Sequence, residues 1–377
     1  MRQAKKRHLL IDALNLTRGG GVIVMVRLAF AFLSAGYRVT VLTARNLPET
    51  NFADSNVEII IEKSATGPLR AMLYRKYQLN ARAQAIGSDL VLSFNYFSQV
   101  SLPQFTYHIN VVPFLGFKKR VSAVGLLRAI VLPFAANKAL TRSTANIFES
   151  DFVHSLAANN IKIIRNPAIA HIGAEFSYQM EKSPRERLNG SYVTVTSGAR
   201  HKRNDLTVAF FRRIIVEEPD AKLGFIGDTD AIRRSLSSED LDFVDRSSAI
   251  TFHGYVGRTQ LYKLLAAGKA LITFSELESF FMVAIEAMSV GCPVIAADNS
   301  AIKESVGTAG LVVPSGDVEA AVQVALKIDT SEVFAQHAKA SREWSQAFEA
   351  NACTSNFIKV VERVLGAEIP VNIREGF

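Results

Sequence analysis

Cysteine is nearly absent: two in 377 residues, Cys292 and Cys353, at a spacing that no metal or redox pair uses. That excludes a disulfide scaffold and a cysteine-built zinc module, suits a reducing compartment, and leaves both thiols as small hydrophobes. Long apolar runs are missing too. The longest candidate, Ala123 to Leu140, is broken by Arg128, Pro133 and Lys138 before the roughly 18 apolar residues of a membrane span accumulate. The N-terminus is basic, but Asp12 interrupts the apolar stretch behind it and no small-residue cleavage pattern follows, so no secretory leader is expected. Short repeats and low-complexity tracts are also lacking. Acidic residues are scarce in one half only. Residues 1–172 hold 8 Asp and Glu against 21 Lys and Arg, a balance of +13; residues 173–377 hold 27 against 22, a balance of −5. Such asymmetry points the first half toward something anionic, with a merely solvated basic surface as the alternative.

What is present is a globular composition, 49% hydrophobic and 21% charged, long enough for two cores. Short β-rich runs alternate with amphipathic helical runs. HLLIDAL reads as a strand, TRGGG as a loop, VIVMVRLAFAFLSAG as a helix closed by Gly36, and YRVTVLT as the next strand. This unit implies a parallel strand pair with a right-handed crossover. DLVLSF, TYHINVV, STANIFES and IKIIRNP extend the series as strands, with DFVHSLAANN as a helix. A second series starts near Ser191: strands in YVTVTSG, AKLGFIG, ITFHG, ALITF, CPVIAA and GLVV alternate with helices, and the chain ends helically. Two such series imply two doubly wound α/β domains. The aperiodic stretch from Asn166 to Gly190, with Pro167 and Pro184, is the expected linker.

Three loops between strand and helix can carry chemistry. The glycines of TRGGG, Gly19 and Gly20 among them, let the backbone and a helix N-terminus approach a phosphate or sugar. The pattern is not G-x-G-x-x-G, and no acidic residue closes the next strand, so a nicotinamide site is weakly supported; a plain tight turn is the competing reading. SGARHKRND places Arg200, His201, Lys202 and Arg203 beyond a strand end, where cations can neutralise a diphosphate; a solvated loop competes. In ESFFMVAIEAMSVGCPVI, Glu278 falls in a loop and a helix begins near Phe280. Glu286 lies beside the apolar stripe of Val283, Ala284, Ala287 and Met288. A carboxylate there needs donors, and two adjacent ribose hydroxyls would serve; a capping or salt-bridged glutamate is the plainer alternative.

Glu278, then Glu286-Ala287-Met288, then Gly291-Cys292-Pro293-Val294-Ile295-Ala296 resembles the signature of the retaining glycosyltransferases of family 4, which have the GT-B fold. KESVGTAGLVVPSGD, KIIRNPA and the first glycine loop with its helix are similar to other family segments. The likeness is strong from about Ser191 to Asp317 and weaker from Leu47 to Thr144. The resemblance implies two Rossmann-like domains facing across a cleft. Residues 1–172 would be the acceptor side, 173–345 the donor side, and 346–377 a helix crossing back to the first domain. It further implies transfer of a sugar from a nucleotide diphosphate-sugar to an acceptor hydroxyl with retention, by front-face attack in which the leaving diphosphate takes the proton. Glu286 would accept from the donor ribose, Glu278 would lie near the donor sugar, and the amides of Phe280, Phe281 and Met282 would face sugar or phosphate. Arg200 and Lys202 would hold the diphosphate, with Arg203 able to replace either. Gly19 and Gly20 match the paired glycines of the first domain, and His108 stands where many relatives carry a histidine that contacts the transferred sugar; a satisfied strand-end histidine is the alternative.

The usual Glu-Gly-Phe-Gly-Leu-Pro has become Glu278-Ser279-Phe280-Phe281-Met282-Val283. A backbone needing positive φ at 279 or 281 would be strained, and the donor pocket is expected to be reshaped. No metal-ligand cluster is visible, so a metal-independent enzyme without a cofactor is expected, its partners a nucleotide-sugar and a lipid-linked or cell-surface glycan, not nucleic acid. The segment Gly116–Arg142, with Lys118, Lys119, Arg120, Arg128, Lys138 and Arg142 around an apolar stretch, suits an anionic membrane surface; a cytoplasmic protein peripheral on the inner membrane face is expected. A sugar-nucleotide epimerase or hydrolase, or a non-catalytic binding subunit, shares the fold and stays open as an alternative.

Overall fold

The computed structural model describes residues 6–367 except 18, 47–51, 53–54, 118–125, 162, 177–186 and 188–190. The chain divides into two compact units, Met1–Ile172 with Ala350–Phe377, and Gly173–Glu349.

The first unit is built on a parallel seven-stranded sheet in the order β3-β2-β1-β4-β5-β6-β7. Its strands are β1 His8–Asp12, β2 Arg38–Thr43, β3 Val57–Ile61, β4 Leu90–Phe94, β5 Gln104–His108, β6 Ala145–Phe148 and β7 Pro167–Ile169. The central strands β1, β4 and β5 are buried along their whole length, as a parallel sheet covered on both faces requires. The run IKIIRNP was expected to be a strand, but only its final proline enters one. Pro167 opens β7 at the sheet edge, where a missing N–H is tolerated. The helix Ala350–Ala367 packs on the helix Gly20–Ser34, with Phe357 edge-on to both Phe32 and Tyr107.

The second unit carries a parallel six-stranded sheet, β10-β9-β8-β11-β12-β13. The strands are β8 Ser191–Val195, β9 Lys222–Ile226, β10 Ile250–Phe252, β11 Ala270–Thr273, β12 Val294–Ala297 and β13 Leu311–Val313. Alternate strand residues feed opposite cores. Tyr192, Ile272 and Ile295 pack with Val208 and Phe211 of the helix Asn204–Glu217. Val193, Leu271 and Ala296 pack with Leu265 of the helix Arg258–Ala267 and Ala284, Ala287 and Met288 of the helix Met282–Ser289. The period of two along each strand thus serves both helical layers. In each sheet the strand order reverses once, between β1 and β4 in the first and between β8 and β11 in the second, and open α/β sheets bind ligands outside the strand ends at such points.

Candidate functional site

In the second unit three loops gather at the carboxyl ends of the adjacent strands β8, β11 and β12. The first leaves β8 through Gly198, where a Cβ would stand 2.1 Å from the Ala231 carbonyl oxygen, so only glycine fits. It then makes a short 3-10 turn, Arg200–Lys202, ahead of the helix Asn204–Glu217. The second loop, from Phe274 to Phe281, is laced to the first. Lys202 Nζ lies 2.6 Å from Glu278 Oε1, Arg203 Nη1 lies 2.6 Å from Glu276 Oε1, and the Glu276 N–H donates to the His201 carbonyl at 2.7 Å. The third loop holds Glu278 in place: its N–H donates to Ser300 Oγ at 2.8 Å.

Lys202 and Glu278 are therefore a partly buried ion pair, brought together from residues 76 apart. Arg200 is exposed and makes no ion pair among the described residues. Arg203, expected to be able to replace either cation, caps the same turn. It sits in the left-handed region at φ 50°, and its guanidinium is committed to Asp205 and Glu276. Burial, and then the charge of Lys202, pushes the His201 imidazole below its ordinary pKa, so it stays neutral near pH 7.

Glu286 is only 4% exposed, on the inner face of the helix Met282–Ser289, and Arg258 Nη1 reaches within 3.4 Å of its Oε1. The strain feared at 279–281 does not arise: neither position has positive φ, and Phe281 lies at φ −86°. Phe281, which stands where glycine is usual, and Phe280, which keeps the usual phenylalanine, are both absorbed by packing. Phe281 joins the core with Ala284 and Val306, and Phe280 lies 5.5 Å from the Phe348 ring. Two of the three amides expected to face the donor are already engaged: Phe281 N–H donates to Ser305 Oγ at 2.9 Å and Met282 N–H to the Phe280 carbonyl at 3.0 Å. An N–H satisfied inside the protein is a less ready donor to a ligand, so these two amides carry no part of the functional reading below.

In the first unit Gly19 and Gly20 stand at the start of the helix Gly20–Ser34. Gly19 has φ 77°, and a Cβ on either residue would meet nothing within 4 Å. A Cβ on Gly21 behind them would stand 3.3 Å from the Ile109 side chain, so the loop lies beside the end of β5. His108 is 1% exposed, its ring stacked 4.8 Å from Phe148 and its Nε2 bonded to Asn146 Oδ1 at 2.9 Å. Burial lowers its pKa to about 4. Sugar contact by His108 thus rests on resemblance; the geometry is that of a packed, neutral strand-end histidine.

Sequence reasoning missed one cluster. Asp12 ends β1 at the reversal point of the first sheet and is 1% exposed. It takes two bonds from Arg75, at 2.5 and 2.9 Å, and one from Ser98 Oγ at 2.9 Å. Arg75 lies on the helix Pro68–Tyr77, and its guanidinium covers the Tyr96 ring. An acidic residue closing a strand that is otherwise apolar was the available signal. A groove of about 390 Å³, lined by Phe114, Leu115, Pro133 and Phe134 among others, also belongs to this unit and holds none of the candidate residues.

Residues 191–329 match the family described as glycosyl transferases group 1. The curated sulfoquinovosyl transferase of Arabidopsis thaliana is 27% identical to this chain over 158 residues, 40% of this chain and 29% of that protein. The chain thus spans less than a third of the curated relative it matches. Solved structures agree on the fold. Sucrose-phosphate synthase from Thermosynechococcus elongatus superposes with TM-score 0.81 at 18% identity, covering 96% of this chain and all of that one. Anabaena HepE in complex with UDP-glucose gives TM-score 0.72 at 15% identity, covering 94% and 99%. The fold of the chain is GT-B, with a parallel-sheet α/β unit for each of its halves. Its family match covers all the laced loops of the second unit, from Arg200 to Ser300.

Proposed function

We propose that the chain is a retaining glycosyltransferase that transfers a sugar from a nucleotide diphosphate-sugar to an acceptor hydroxyl of a lipid-linked or cell-surface glycan. The observation that carries this reading is the convergence of Lys202 and Glu278 at the reversal point of the second sheet, with Arg200 on the same turn and Glu286 on the helix that follows. The UDP-glucose bound to HepE, on the same fold, supports a nucleotide-sugar as donor.

The chemistry follows from charge. Breaking the bond between the sugar and the diphosphate puts growing negative charge on the leaving oxygen. Arg200 and Lys202 stabilise that charge more in the transition state than in the bound donor, where it has not yet developed. Lys202 is held in place by Glu278, so little reorganisation is needed as the charge appears. Glu286 accepts from the ribose hydroxyls, and Glu278 lies at the sugar. The leaving diphosphate takes the proton of the incoming hydroxyl on the same face. Gly19 and Gly20, with a helix N-terminus behind them, offer the first unit's open backbone for close approach.

The test is a thermal-shift screen of nucleotide-sugars followed by turnover assays with and without acceptor glycan. Stabilisation by one nucleotide-sugar, with sugar transfer only when acceptor is present, is expected. Rapid breakdown of the donor without acceptor favours a hydrolase or epimerase, and no stabilisation by any nucleotide-sugar sinks the donor reading.

A further inference from the structure

Glu286 has a resident cation, and that cation is itself braced. Arg258 opens the helix Arg258–Ala267 directly behind the loop that follows β10. Its Nη2 donates to the Tyr262 hydroxyl at 3.3 Å, and its guanidinium carbon stands 5.6 Å from the Tyr262 ring centre. Its Nε lies 3.6 Å from Glu175 Oε2, and the Tyr262 hydroxyl donates to the Glu175 backbone carbonyl. The remaining nitrogen, Nη1, is the one 3.4 Å from Glu286 Oε1. None of the bracing groups belongs to the signature stretch that contains Glu286.

We propose that Arg258 is a positioning residue that fixes the Glu286 carboxylate for the ribose hydroxyls of the donor. The inference rests on the reading of Glu286 as the ribose acceptor. A carboxylate at 4% exposure is costly to keep ionised unless a cation faces it. Contact at one oxygen leaves further lone pairs to accept hydroxyl donors. A carboxylate held in one rotamer meets the two ribose hydroxyls without loss of its own freedom on binding, which is where preorganisation adds affinity. A guanidinium clamped by Tyr262 and Glu175 supplies both effects: the charge, and a fixed direction from which it acts.

The experiment separates this role from simple bracing of the loop. Wild type, Arg258→Met and Arg258→Lys are titrated calorimetrically with UDP, GDP and ADP, each beside its 2′-deoxy counterpart, after melting curves establish that the variants fold. Wild type is expected to prefer the ribonucleotide of its own base by on the order of 10-fold or more, the loss of one charge-assisted hydrogen bond. Arg258→Met should reduce that preference to about twofold, and Arg258→Lys should restore part of it through its remaining positive charge. A full wild-type preference in Arg258→Met overturns the proposal even if overall affinity falls, because a loop brace weakens both forms alike. If Arg258→Met does not fold, Arg258→Gln, which keeps a donor for Tyr262, is read by the same criterion. A wild type that binds both sugar forms equally, or none of the three nucleotides, fails differently: it removes the ribose role of Glu286 itself.

Discussion

A lysine ammonium 2.6 Å from a carboxylate is fixed before any ligand arrives, and that decides what its loss should do. Lys202→Ala removes charge stabilisation that grows along the reaction, so kcat should fall more than KM rises; steady-state kinetics check this, and a pure KM effect would indicate ground-state docking. Glu286→Ala should leave the fold intact and weaken nucleotide binding by roughly 2–4 kcal/mol, the worth of a charge-assisted hydrogen-bond pair, as measured by calorimetry. Normal nucleotide binding by that variant would contradict the ribose assignment. His108 carries a pH prediction. Its pKa falls from 6.5 to about 4 on folding, so between those values the unfolded chain binds more protons, and stability rises with pH. The contribution is fully present above about 6.5 and is lost as pH drops through 4, on the order of 3 kcal/mol in total. His108→Asn should flatten urea-melt stability across that window, and an unchanged slope would assign the pH dependence elsewhere. Glu286 was legible because a carboxylate beside an apolar helical stripe demands a partner, and Glu278, in the loop before that helix, was legible only through the resemblance. The occupied amide of Phe281 was not, because its acceptor, Ser305, lies 24 residues downstream and meets it only through the fold. The pairing of Arg203 was hidden for a similar reason: its partner Glu276 comes from a different loop.

At the level of elements, most strands could be read because buried parallel strands are continuous apolar runs, whereas the stretch expected to be a structureless linker hides an anchor. Arg187 is fully buried and donates to the backbone carbonyls of Leu265 and Gly268, at the end of the helix Arg258–Ala267. It also donates to the carbonyl of Val290, the cap residue of the helix Met282–Ser289. One guanidinium thus satisfies the open carbonyls of two helix ends, and its charge complements both dipoles. Its ring-side face lies 4.9 Å from the Phe334 ring centre. Nothing in PRERLNG announces this, since a charged residue near a proline reads as surface loop. The edge strand β3 was overlooked because its burial is broken and isoleucines 59 and 61 stay exposed. Arg187→Ala should destabilise the second unit by about 3 kcal/mol or more, because several buried carbonyls lose their donor at once. Arg187→Lys should recover only a fraction, since an ammonium cannot reproduce the planar fork. Thermal unfolding of both variants checks this; a loss within about 0.5 kcal/mol, the range of ordinary surface substitutions, would show that water replaces the guanidinium.

For the whole molecule the division of charge is the widest feature legible in the sequence, and residues 1–172, which carry the +13 balance, belong to the first unit. There the helix Leu126–Arg142 exposes Ile130, Val131 and Phe134, the last at 72%, and the helix Pro68–Tyr77 exposes Leu69, Met72, Leu73 and Tyr77. The same two helices carry neighbouring cations: burial, then the nearby charges of Arg142 and Lys76, lower the pKa of Lys138. Lys118, Lys119 and Arg120, expected to complete the cationic surface, lie outside the described residues. No helix among the described residues is long and apolar enough to cross a membrane. Apolar side chains beside lysines and arginines suit an anionic leaflet, each basic residue near the surface contributing about 1 kcal/mol. A lipid-linked acceptor would present its glycan at such a surface. The protein should therefore sediment with vesicles containing anionic phospholipid at low salt and be released as salt is raised, because screening shortens the reach of surface charge. Replacing Lys118, Lys119 and Arg120 by glutamate should abolish sedimentation while nucleotide binding by the second unit persists. Val131→Ser with Phe134→Ser should weaken it without altering the salt dependence, since those residues act by apolar burial. Equal affinity for neutral and anionic vesicles, or no binding at low salt, would assign the basic half to a soluble acceptor instead.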